Sequence, residues 1–380
     1  MFADKMPGKI SKVTGIASKR NEVEKPPKKS TKVRRISGES KVLRIKRVSG
    51  ENKSKINTNK KIMATKKCSD SSTNSKNKSE IINGSLAESR TGKIYIGYHA
   101  SSAGGVHNAI TSTAEIGAEC LALFLRPQRT WAAPPLKPEA ATQFKDLKSS
   151  HNIATHMILP HGSYLLNLGS PEVNQREKSL NLLVDELQRC QELGIRLFNI
   201  HPGSSCGKIS RDECVSNIAT GINAAHKRTE GSDVKIVLEN MSCQGHTIGG
   251  DLRELKQIID QVDDKTRVGV CLDTCHAMAA GYDLSTEEGF NRLLREFEEF
   301  VGWEWLVGCH LNDSKGPAGC HRDRHENIGK GTIGVEGFRR IVNCPHFTDI
   351  PLILETPLNE DLGNKGYQEE IELLSSLIKN

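Results

Sequence analysis

The chain has 380 residues and a formal net charge of +7, but residues 1–90 alone hold 24 basic against 8 acidic side chains. No apolar run approaches the ~18 residues of a membrane span, and no apolar segment near the start resembles a secretory signal. The eleven cysteines are scattered and form no CxxC pair, which excludes a disulfide framework and a cysteine-based zinc module and leads us to expect a reducing, intracellular setting.

Residues 1–91 are dense in Lys, Ser, Asn and Thr and poor in large apolar side chains. Such a segment cannot bury enough surface to offset its ordering entropy, so a disordered basic arm is expected. It contains a near-repeat, RRISGESK (34–41) and KRVSGENK (46–53), in which Ser37 and Ser49 each lie two residues beyond a basic pair. The clusters at Lys32–Arg35 and Arg44–Arg47 fit a nuclear-import or DNA-tethering arm, and the plain alternative is a solubilising tail. The expected location is the nucleus, with the mitochondrion second.

From residue 92 onward the pattern changes, and a single folded domain is expected over 92–380. Eight short apolar runs follow in order: IYIGYH (94–99), CLALFL (120–125), HMILPH (156–161), LFNIH (197–201), KIVLE (235–239), VGVCLD (268–273), LVGCH (306–310) and PLILE (351–355). Continuous apolar character suits parallel strands covered on both faces. Helical patterns lie between the runs; in 173–193, Leu180, Leu183, Val184 and Leu187 share one face. Eight strand–helix units predict an α/β fold of the closed (β/α)8 TIM-barrel type. A doubly wound sheet is the competing fold, but the chain lacks a GxGxxG turn.

The last six runs end in His161, His201, Glu239, Asp273, His310 and Glu355. These ends form the C-terminal rim, where barrel active sites are built. One such residue is usually a hydrogen-bonded cap. Converging carboxylates, however, repel and are costly to bury unless cations lie between them. His276 follows Asp273 at a helix-like spacing, and Asp323 and His325 stand two apart in HRDRHENIGKG (321–331). Five histidines and four carboxylates suit zinc or manganese, and nine side chains fit three ions if one carboxylate is shared. Two ions plus a structural histidine remain open on spacing alone.

The strings ILPHGSYLLNLG, FNIHPGS, IVLEN, GVCLDTCHAMAAGYD, CHLNDSK, DRHENIGKG and PLILET, in that order from Lys93 to the C-terminus, resemble the endonuclease IV family of apurinic/apyrimidinic (AP) endonucleases. The resemblance implies three zinc ions. His161, His201 and Glu239 would hold one; Glu239 would bridge to a second held by Asp273, His310 and Glu355; His276, Asp323 and His325 would hold the third. Gly162 departs from the bacterial pattern, which carries an aspartate at this non-ligand position.

The implied activity is base excision repair. Water activated by zinc would be used to hydrolyse the phosphodiester 5′ to an abasic site, leaving a 3′-hydroxyl and a 5′-deoxyribose phosphate, with 3′-end cleaning as a second phosphodiesterase activity. The implied partner is double-stranded DNA carrying abasic sites or blocked 3′ ends, met by a monomer with no membrane attachment. Tyr164 and Leu165 resemble the family's minor-groove wedge, which trades stacking energy for a bent duplex and an extruded nucleotide. Gln128 and Arg129, in RPQRTWAAPP (126–135), sit where they could enter a groove, whereas Trp131 is expected to pack beneath that loop. His99 and Gln244 lie near the same rim as further DNA contacts. A divalent-metal sugar isomerase or epimerase is the main alternative, though it has no use for a strongly basic arm. A catalytically dead DNA-binding scaffold is the other, though no ligand is missing.

Overall fold

A computed structural model describes residues 92–379, so the expectations for the arm at 1–91 lie outside the described residues. Seven parallel strands form one sheet: β1 (Tyr95–His99), β2 (Cys120–Ala122), β3 (Leu197–Ile200), β4 (Lys235–Glu239), β5 (Val268–Asp273), β6 (Leu306–Leu311) and, after two short strands β7 (Asp313–Ser314) and β8 (His325–Glu326) outside it, β9 (Pro351–Leu354). The spatial order is β2-β1-β9-β6-β5-β4-β3. This leaves β2 and β3 as the two open edges.

The third apolar run fills the gap between them. Ile158 bridges Leu121 and His161 bridges Asn199, both parallel. The Leu159 amide donates to the Leu121 carbonyl at 2.9 Å, and the Asn199 amide to the Pro160 carbonyl at 2.8 Å. The barrel is therefore closed by eight staves, but the third is not a regular strand. Pro160 has no N–H to give the ladder, which limits this stave to isolated bridges.

Helices alternate with the strands on the outside: α1 (His107–Glu115), α2 (Pro138–Ser150), α3 (Val173–Leu193), α4 (Arg211–Arg228), α5 (Leu252–Asp260), α6 (Thr274–Ala280), α7 (Glu287–Phe300), α8 (Gly334–Val342) and α9 (Asn364–Ser376). The helix expected at 173–193 is α3; it buries Leu180, Leu183 and Leu187 and ends on Gly194 in the left-handed conformation at φ 66°. Outer faces of the strands and inner faces of the helices make the main apolar core. The sequence pattern held no sign of the antiparallel pair β7 (Asp313–Ser314) and β8 (His325–Glu326), an excursion between β6 and α8.

Inside the barrel a second, small cluster holds Leu159, Leu197, Val237 and Cys271, with Val307 packed against it. Side chains along a strand return to the same face every second residue. Two residues beyond Leu159 is His161; beyond Leu197 come Asn199 and His201; beyond Val237 is Glu239; beyond Cys271 is Asp273. The apolar cluster is thus a floor, and the same alternation lifts polar groups one layer above it.

Candidate metal centre

His161, Glu239, Asp273, His276 and His310 are buried, each 3% exposed or less, while His201, Asp323, His325 and Glu355 line the more open side. Their donor atoms fall into groups able to hold an ion: His161, His201 and Glu239; Glu239, Asp273, His310 and Glu355; His276, Asp323 and His325. Within each group the candidate donors lie no more than 4.8 Å apart. A further group joins Asp273 and His325 to Cys275, which sequence reasoning passed over. Burial pushes the Cys275 thiol up to about 12, which disfavours its thiolate form.

The histidines are oriented by their second nitrogens. His161 Nδ1 contacts the Gly162 carbonyl at 2.8 Å, His276 Nδ1 the Asn240 carbonyl at 2.9 Å, and His325 Nδ1 the Glu355 carbonyl at 3.0 Å. A carbonyl only accepts, so Nδ1 carries the proton and Nε2 turns its lone pair inward, the usual arrangement for a metal-ligating imidazole. His310 is reversed, with Nδ1 3.2 Å from both Glu239 Oε1 and Glu355 Oε2.

The carboxylates are steered by amides and asparagines. The Asn199 side chain donates to Glu239 Oε2. Asn312 Nδ2 donates to Asp273 Oδ2 at 2.6 Å, and Asp273 Oδ1 accepts from the His276 amide at 2.7 Å, capping α6. Asn312 Oδ1 in turn accepts the Glu355 amide at 3.0 Å. Asn199, Asn240 and Asn312 were not singled out in the sequence, although each lies within two positions of a candidate ligand.

Charge in this pocket is finely opposed. Burial would raise the Glu239 and Glu355 carboxyls, yet the facing histidines, His310 foremost, hold both well below the ordinary range. Burial wins at Asp273, which is pushed up, and at His201, lowered to about 4. His161 is held at about 9, because its carboxylate neighbours, Glu239 first, outweigh burial. Buried Glu239 Oε1, His276 Nε2, His310 Nδ1 and His325 Nε2 face oppositely charged groups at 3.1–3.2 Å without a well-formed hydrogen bond. Anionic oxygens beside inward-facing imidazole nitrogens are the donor set that divalent cations take in competition with protons, so these residues fit zinc.

Beside the centre, Tyr164 is 55% exposed, and its ring stands 5.6 Å from those of His161 and Phe124. Leu165, next in the chain, is half-buried. Arg129 is exposed at the tip of the 126–135 loop, and the Gln128 carbonyl accepts the Ser163 hydroxyl at 2.7 Å, tying that loop to the Tyr164 turn. Trp131 does not pack beneath the loop as expected: it is 38% exposed, with the Lys178 ammonium over its ring. The loop's backbone is held from elsewhere. Asp185 on α3 accepts from Arg126 at 2.6 Å and from Arg189 at 2.9 Å. Those guanidiniums hold the Thr130, Trp131 and Pro134 carbonyls.

His99 and Gln244 stand at the same rim. His99 Nδ1 meets Glu355 Oε1 at 2.9 Å against the Phe124 ring. The Gln244 side-chain oxygen accepts the Asp323 amide at 3.1 Å. One atom of each thus touches a candidate ligand.

The profile of a family described as xylose isomerase-like TIM barrel matches residues 110–377. "Probable endonuclease 4" of Campylobacter concisus is 48% identical over 286 residues, which is 75% of this chain and 98% of that protein. Apurinic-apyrimidinic endonuclease 1 of Plasmodium berghei is 45% identical over 74% of this chain and 55% of its own length. The crystal structure of endonuclease IV from Thermus thermophilus superposes with a TM-score of 0.65 at 31% identity, covering 74% of this chain and 99% of that one.

The chain belongs to the endonuclease IV family. Its barrel is also shared with a D-tagatose 3-epimerase-like protein at a TM-score of 0.57, but at 19% identity that likeness is one of fold alone. Within the endonuclease IV pattern, Gly162 has a local reason. A Cβ there would stand 3.0 Å from side-chain atoms of both Ile200 and Leu166, and 3.2 Å from the Asn199 carbonyl oxygen.

Proposed function

We propose that this protein is a DNA repair endonuclease that hydrolyses the phosphodiester 5′ to an abasic site with three zinc ions, and that it also clears blocked 3′ ends. The observation that carries the reading is the partition of nine side chains into three ligand groups, two of which share Glu239. His161, His201 and Glu239 would hold one ion; Glu239, Asp273, His310 and Glu355 the second; His276, Asp323 and His325 the third. When bound, zinc supplies Lewis acidity and water acidified to near neutral pH, so the protein needs no covalent nucleophile.

The side chains have separable tasks. Glu239, pinned by Asn199, fixes the spacing between two ligand groups. Tyr164, exposed beside His161, would enter a groove and hold the duplex open where a missing base has already weakened stacking. Arg129 on its braced loop offers a cation to the backbone, with Gln128 and Leu165 lining the approach. DNA would be engaged by a monomer, and the basic residues of 1–91 would add non-specific attraction and nuclear delivery. The relatives named as endonucleases support the activity, and the donor chemistry supports the metal.

A duplex carrying one tetrahydrofuran site, incubated with purified protein before and after prolonged chelation, tests the reading. Incision leaving a 3′-hydroxyl, lost on chelation and restored by zinc, is the expected result. An intact duplex under conditions where the protein isomerises a sugar would overturn it.

A further inference from the structure

Seven of the nine candidate ligands stand on barrel staves or just past their ends, but Asp323 and His325 ride on the excursion between β6 and α8. Whatever fastens that excursion decides whether the group of His276, Asp323 and His325 exists. The excursion begins at Asp313, a fully buried residue. Its backbone pairs with Glu326, and that of Ser314 with His325.

The Asp313 side chain binds the returning limb. Its Oδ1 accepts amides from Ser314 at 2.8 Å and Ile333 at 2.9 Å; its Oδ2 accepts those of Gly329 at 2.9 Å, Gly331 at 3.0 Å and Gly334 at 3.2 Å. Five amides converge on one carboxylate. GKGTIG (329–334) reads like a glycine loop built to cradle a phosphate, but here the chain's own carboxylate occupies the cradle. Gly331 is required for the fit, since a Cβ there would collide with Asp313 Oδ1 and with the Ser314 carbonyl oxygen. The Thr332 amide closes the limb onto the Ser314 carbonyl at 2.8 Å.

We propose that Asp313 is the positioning residue for one metal site of the three: its carboxylate locks the excursion, and without it the site of His276, Asp323 and His325 loses its ion while the other two keep theirs. The inference rests on the three-zinc reading. The selectivity follows from the architecture, because the other ligands are carried by the barrel itself. An asparagine at 313 would present an N–H2 group to amides that now meet an oxygen, so even this near-isosteric change breaks part of the cradle.

The test uses the full chain as wild type, Asp313→Asn and Gly331→Ala, the last pressing a methyl group against the carboxylate without removing it. Zinc per chain is measured after dialysis against buffered free zinc, together with amide hydrogen exchange over residues 323–334 and thermal melting. Expected values are three ions in wild type and two in either variant, with at least tenfold faster exchange confined to 323–334. If Asp313→Asn does not fold, the same readings are taken from Gly331→Ala. Retention of all three ions with unchanged exchange overturns the proposal, and so does loss of all three. A wild-type count other than three overturns the three-zinc reading instead. The fastening role is then decided by exchange alone, supported by selective acceleration and overturned by its absence.

Discussion

The metal rim and the 126–135 loop stand side by side, yet they are held by different means. The rim inherits its geometry from the sheet: parallel register sets Asp273 opposite His310, and asparagines on the same strand ends hold the carboxylates. The loop is held chiefly from α3, where Asp185 gathers the loop's Arg126 and the helix's own Arg189, with one further bond from the Ser163 hydroxyl to the Gln128 carbonyl. The two regions therefore rest on largely different contacts, joined by the Ser163–Gln128 bond two residues from His161, and damage to one is expected to reach the other only weakly.

The largest expected effect lies on the rim. Glu239→Gln removes the carboxylate shared by two ligand groups, so incision should fall by about a thousandfold or more, and bound zinc should drop. Affinity for abasic duplex should change far less. Kinetics, elemental analysis and a binding titration on one preparation check all three, and loss of binding in step with zinc would erase the distinction.

On the loop the opposite pattern is expected. Asp185→Ala leaves the buried Arg126 guanidinium without its carboxylate and frees the backbone that carries Arg129. Preference for abasic over intact duplex should fall by roughly tenfold to a hundredfold, with zinc content unchanged. Tyr164→Ala and Arg129→Ala should give the same signature at about tenfold each. Zinc loss in any of the three would show that the two regions are coupled after all.

A smaller effect concerns Glu186, next to Asp185 on α3. It is 1% exposed, neither carboxylate oxygen has a hydrogen-bond donor in good geometry, and burial pushes its carboxyl up to about 8 against the pull of Arg126. The folded state thus binds this proton more tightly than the unfolded chain does. The resulting stabilisation is complete below about pH 4.5 and is lost as pH rises toward 8. Glu186→Gln should flatten the fall in melting temperature across that window, and an unchanged slope would assign the fall to other groups.

The smallest effect on chemistry is expected from removing residues 1–91. Zinc content and single-turnover incision should persist, while the salt dependence of binding to intact DNA flattens as fewer counterions are released. Nuclear accumulation of the truncated chain should fall, and imaging both forms reads this separately from the salt titration. An unchanged slope with unchanged location would leave the segment a passive tail.

Much of the rim could be read from the sequence because strands enforce a two-residue alternation, and an apolar run that ends in His, Asp or Glu shows both the strand and its tip. Pro160 limited that reading, since the apolar run held no measure of how much ladder a missing N–H removes. The β7–β8 pair was hidden because two-residue strands have no periodicity. Arg126 and Asp185 are 59 positions apart, and nothing local marks a long-range ion pair. Asp313 was visible only as one letter of CHLNDSK, because its five partners are backbone groups that look the same in every sequence.

The stave that closes the barrel has a mechanical consequence. His161 hangs from the segment between β2 and β3, and His201 stands just past the end of β3 on the other side of the joint. A hoop is as strong as its weakest join, and this join has isolated bridges where the others have continuous ladders. An ion gripped by both imidazoles would act there as a clasp, drawing the ring shut where the backbone holds it least.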